Sequence, residues 1–120
     1  MNQKIATKWV AALRSGEYAQ GKGALREHDL YCCLGVLCSL AFKEDPSLGK
    51  WDAGHTRRRA IDGKTGLESG TMLPTSVMEW ADMKSYSGDI GYSNSLAARN
   101  DTGETFPEIA DHIEQNWSKL

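Results

Sequence analysis

Cysteine is scarce and poorly spaced for cross-linking: the chain has three, Cys32, Cys33 and Cys38, an odd number confined to seven consecutive residues. Secreted disulfide scaffolds space an even set along the chain, so a reducing cytoplasm is the expected compartment. Long apolar runs are also missing. The best of them, residues 32–42, is interrupted by Gly35 and Ser39 and falls short of the ~20 residues that cross a hydrocarbon core. The first residues, Met-Asn-Gln-Lys-Ile-Ala-Thr-Lys-Trp, carry no apolar stretch or small-residue cleavage site, so no export is expected. Excess charge of one sign is absent as well: the formal net charge is −2. The long-range field therefore cannot hold a polyanion, which excludes a general nucleic-acid binder and leaves only local anion recognition.

Catalytic signatures are equally thin. The glycine-rich Gln20-Gly21-Lys22-Gly23 lacks the Gly-Lys-Ser/Thr ending of a phosphate-binding loop, and no Gly-x-Ser-x-Gly occurs. No enzyme is expected, and no cofactor.

What is present is a foldable composition: 40% hydrophobic and 25% charged residues in 120, with four Trp, four Tyr and two Phe. This suits one core and one domain over residues 1–120. Apolar residues at Ile5, Ala6, Trp9, Val10 and Leu13 recur at helical spacing, and Ser15-Gly16 closes that helix. Residues 24–26 and 30–32 flank Glu27-His28-Asp29 as the arms of a short hairpin. Residues 33–43 are apolar or small on every side, the pattern of a helix enclosed by other elements, which Pro46 ends. The glycine-punctuated stretch 47–72 reads as loop with short strands, and residues 85–94 as loop. Thr75 is placed to cap a helix over 74–83, and Thr105-Phe106-Pro107-Glu108 has the form of a capping box before a final helix carrying Ile109, Ala110, Ile113 and Trp117. The fold class expected is α+β, mainly α: about four helices around one core with a small β-hairpin and short strands.

Lys8-Trp9-Val10, Ala12-Leu13-Arg14-Ser15-Gly16, Cys32-Cys33-Leu34-Gly35-Val36-Leu37-Cys38, Leu73-Pro74, Trp80-Ala81, Asn100-Asp101 and Ile109-Ala110-Asp111 together resemble a group of small proteins encoded by bacteriophages and prophages. The resemblance reaches both ends of the chain and lapses over about residues 44–71. It implies a setting, a phage-infected bacterial cytoplasm in which such proteins often counter host defence, and no reaction.

Three groups of residues carry potential chemistry. His55, Arg57, Arg58 and Arg59 beside Trp51 form the densest cationic cluster, suited to phosphate and base, or else a solvated loop. Tyr18, Gln20 and Lys22 belong to a glycine-flanked segment that could cradle an anion or merely turn the chain. Cys32 or Cys33 at a helix start could be an activated thiol. His28 with the three cysteines suggests zinc only superficially, because Cys33 and Cys38 would project about 140° apart on a helix. Asn100-Asp101-Thr102-Gly103 reads as a self-fixed turn. The function expected is a non-enzymatic sponge, a homo-oligomer that sequesters a nucleotide-derived signal. The alternatives are a protein–protein inhibitor anchored by exposed Trp and Tyr, and a cysteine-dependent hydrolase.

Overall fold

The computed structural model describes residues 1–91 and 94–120. Helix α1 (Gln3–Arg14) starts where the Asn2 side chain accepts the Ile5 N–H at 3.1 Å and ends before Gly16, whose φ of +78° reverses the chain. Its buried stripe is the expected one, Ile5, Ala6, Trp9, Val10 and Leu13. The Trp9 indole N–H donates to the Cys33 carbonyl at 2.9 Å, so the largest core side chain also fixes its polar atom.

Strands β1 (Ala19–Gln20), β2 (Arg26–Glu27) and β3 (Leu30–Tyr31) follow. The β2–β3 hairpin turns through His28 at φ +54°, and β1 lies parallel to β3 on its other side. Helix α2 (Cys33–Glu44) is the enclosed one, buried from Cys33 through Ser39 and again at Ala41. Gly35 is required there: a Cβ would strike the Leu25 carbonyl oxygen. A 3-10 turn at Pro46–Leu48 then leads into β4 (Gly49–Trp51), β5 (Arg57–Arg58), β6 (Ala60–Asp62) and β7 (Glu68–Ser69). Strands β4, β6 and β7 make one antiparallel sheet, while β5 crosses to β2 and extends the first sheet to the order β1-β3-β2-β5.

Helices α3 (Thr75–Trp80), α4 (Leu96–Asp101) and α5 (Phe106–Asn116) complete the chain. The Thr105–Glu108 capping box forms as expected, and α5 buries Phe106, Ile109, Ala110 and Ile113 against α1. The core draws on all five helices together with Leu25, Leu48 and Ala60. No helix among the described residues is long and apolar enough to cross a membrane.

The fold class needs correction. The described residues form five helices and seven strands in two sheets, an α+β chain rather than a mainly α one with about four helices and a hairpin. The additional helix is α4, whose six residues are too few to show a period but whose start is marked by Ser95, accepting the Ala98 N–H at 3.1 Å. The capping role expected of Thr75 is also overturned: Pro74 occupies the cap position, and Thr75 is already helical. The acceptor at that helix start comes from fourteen residues upstream, where the buried Asp62 Oδ2 takes the Ser76 N–H at 2.8 Å. Of the loop expected over residues 85–94, residues 92 and 93 lie outside the described residues.

Candidate functional site

The three consecutive arginines would alternate between the two faces of a continuous strand. Within β5, Arg57 stands opposite Glu27 and Arg58 opposite Arg26, while Arg59 belongs to the step into β6; all three line one surface cavity of about 450 Å³, together with His55. Gly23, Ala24, Gly70 and Thr71 supply a backbone-rich wall without bulk.

Two acids limit the positive field of this groove. Asp52 lines it beside His55, 3.9 Å away, and Glu68 meets Arg59 at 3.4 Å. Glu27 reaches Arg57 at 3.7 Å. The two arginine–carboxylate pairs are long and mostly exposed, worth about 0–1 kcal/mol each, so an incoming phosphate displaces the carboxylates at little cost. Arg58 differs, being half-buried and without a carboxylate in ion-pair range among the described residues.

The remaining expected site residues lie elsewhere. Tyr18 and Trp51 line a separate cavity of about 200 Å³ with Arg26, Tyr31, Ser39, Phe42 and Lys43. Tyr31 stands edge-on to both Tyr18 and Trp51, and Phe42 edge-on to Trp51, with ring centroids 5.1 to 6.2 Å apart. The Arg26 guanidinium covers Tyr31 at 5.0 Å and Trp51 at 5.6 Å, and the Lys43 ammonium lies 5.4 Å from the Tyr18 ring. The Trp51 indole N–H donates to Ser39 Oγ, which fixes the ring in the wall. Lys43 hydrogen-bonds the Tyr18 hydroxyl at 3.1 Å, a contact that raises the ammonium pKa above its ordinary value. Sequence reasoning assigned neither cation a role. The available signal was the hairpin itself, which places Arg26 opposite Tyr31.

Gln20 is committed to the fold: its side chain donates to Asn100 Oδ1 and to the Glu104 carbonyl and accepts the Phe106 N–H. The glycine loop offers little to an anion, because the Gly21 N–H donates to the Tyr31 carbonyl and the Gly23 N–H to Asp101 Oδ1. Lys22 is exposed at that loop, near Gly103. Nor do Asn100 and Asp101 fix their own turn. Asn100 is buried, accepts the Cys33 N–H and donates to the Gly21 carbonyl, so α4 holds down the segment around β1.

All three cysteines are buried and free. Desolvation pushes Cys32 up to about 11 and raises Cys33 and Cys38 well above the ordinary thiol value, outweighing the backbone N–H groups at the start of α2. Thiols so placed are small core hydrophobes and not thiolate nucleophiles. The aromatic anchors expected of an inhibitor are largely covered too: Trp9 is buried and Trp51, Trp80 and Trp117 are half-buried, while Tyr86 is exposed.

The chain belongs to the family described as "Domain of unknown function (DUF8296)", whose model matches residues 1–117. No curated protein and no solved structure matches it.

Proposed function

We propose that this chain is a non-enzymatic binding protein that takes an anionic, nucleotide-derived small molecule into the groove of His55, Arg57, Arg58 and Arg59 and withholds it from other receptors. The observation that carries this reading is that three arginines and a histidine line one concavity of about 450 Å³, a volume in the range of small-molecule sites. Arginine forks suit phosphate oxygens, and Arg58 is the natural anchor because no carboxylate among the described residues competes for it.

The resemblance to phage and prophage proteins supports a setting for this activity, the cytoplasm of an infected bacterium, where removing a nucleotide signal would blunt host immunity. A second copy of the chain closing the open side of the groove would raise retention, so we expect a homo-oligomer.

Calorimetric titration with cyclic dinucleotides and with ADP-ribose tests the reading. Wild-type chain is expected to bind one of these classes, and the Arg57→Ala/Arg58→Ala/Arg59→Ala variant to bind at least a hundredfold more weakly. No binding of either class by folded wild-type protein overturns it. Capture of a stoichiometric protein partner instead, by a surface outside the groove, would favour the inhibitor alternative.

A further inference from the structure

The aromatic cavity has a charge balance that the arginine groove lacks. It is lined by Tyr18, Tyr31, Phe42 and Trp51 and by two cations, Arg26 and Lys43, and no acid lines it. Arg26 is only 14% exposed, and its one carboxylate partner among the described residues is Asp29, 3.2 Å away but 93% exposed and therefore weakly held. Its Nε donates to the His28 carbonyl, which fixes the guanidinium plane, and among the described residues no acceptor reaches Nη1. Lys43 meets the Tyr18 hydroxyl and no carboxylate among the described residues. The backbone adds to the imbalance. Arg26 stands directly opposite Arg58 in the antiparallel β2–β5 pair, and directly opposed like charges on a sheet face repel. A half-buried charge with an unused donor, a like-charged cross-strand neighbour and aromatic walls already held by cation–π contacts is organised for an anion attached to a flat ring.

We infer that this cavity is a second binding site, for a planar aromatic ring bearing a single anionic group, with the ring against Tyr31 and Trp51 and the anion between Arg26 and Lys43. Nucleoside monophosphates and aromatic carboxylates share this chemistry. The inference stands apart from the arginine groove, because neither cation lines that groove.

Titration of the full chain with AMP and with benzoate, using adenosine and inorganic phosphate as the two separate halves, tests it by calorimetry and by the Trp51 indole N–H resonance. At least one of AMP and benzoate is expected to bind and shift that resonance, tenfold or more tightly than adenosine or phosphate alone; which of the two does so identifies the source. Lys43→Gln, at an exposed position, and Arg26→Gln are each expected to weaken it tenfold or more, and Lys4→Gln, exposed on α1 and lining neither cavity, by less than twofold. Absence of binding by both probes at millimolar concentration overturns the inference, and so does an equal loss in Lys4→Gln. Loss of cyclic-dinucleotide binding in the triple-arginine variant with AMP or benzoate binding intact would separate the two sites.

Discussion

The side-chain amide of Gln20 donates to Asn100 Oδ1 at 2.9 Å and so joins β1 to α4 across eighty residues of chain. The same oxygen accepts the Cys33 N–H at 3.2 Å, and the Asn100 amide donates to the Gly21 carbonyl at 2.8 Å. One buried amide thus serves three segments that local sequence does not connect, and its satisfaction is what allows a polar group in the core.

Asn100→Ala leaves the buried Cys33 N–H and Gly21 carbonyl without partners, and is expected to cost about 3 kcal/mol at the ~1–3 kcal/mol of each unsatisfied buried group. Asp101→Ala, next to it but exposed, should cost under about 1 kcal/mol. Urea denaturation of the two variants checks the ranking. Equal midpoints would mean that Asn100 is not the hub.

Asp62 gives the fold an acid-sensitive joint. Desolvation pushes its carboxyl up, but the N–H groups of Ser76, Lys64 and Thr65 outweigh that and hold it below its ordinary value. The folded chain therefore binds fewer protons than the unfolded one in acid, and the stability involved is present above about pH 4 and lost as pH falls through the folded value. The gap between wild type and Asp62→Asn in urea midpoint should be widest from pH 5 to 7 and close toward pH 2. A gap independent of pH would contradict a charged acceptor.

The thiols should be silent in the native chain. With Cys32 pushed up to about 11 by burial, and Cys33 and Cys38 also raised well above the ordinary thiol value by desolvation, a colorimetric disulfide reagent at pH 8 is expected to label none of them within minutes, and all three in 8 M urea. A thiol that reacts in the folded protein at the rate of free cysteine would restore the hydrolase alternative.

Gly35→Ala places a methyl group against the Leu25 carbonyl oxygen, on a residue with no exposed surface and therefore no room to retreat. The expected loss is about 3 kcal/mol, the upper part of the overpacking range. Gly16→Ala meets no atom within 4 Å but sits at φ +78°, so it should cost about 1 kcal/mol from backbone strain alone. Thermal unfolding of the pair separates collision from conformation.

The elements legible in the sequence are those whose cause is local. In α1 and α5 an apolar stripe and a side-chain cap lie within a few residues of each other, and α1 stops at Ser15-Gly16 as its sequence implies. The β2–β3 hairpin is a local turn and was legible for the same reason. What sequence reasoning missed depends on distant partners: strands of two or three residues carry no period, and β5 exists because Arg57 and Arg58 pair with Glu27 and Arg26. The site divided along the same line. His55 and the arginines are neighbours in sequence and meet in one groove, whereas Trp51, set beside them by sequence proximity, and Tyr18, read with the glycine-flanked segment, instead pack together with Arg26 and Lys43.

The contact between α1 and α5 also bears on how the molecule is made. Arg14 reaches Asp111 at 2.7 Å and Glu114 at 2.9 Å, and the apolar stripes of the two helices face each other over the same interface. A nascent polypeptide emerging from the ribosome would hold Trp9 and Leu13 without their final cover until Ile109 and Ile113 had cleared the exit tunnel. Cooperative folding therefore waits for residues 109–113 to emerge, and chaperone occupancy of shorter ribosome-bound intermediates should persist to that point.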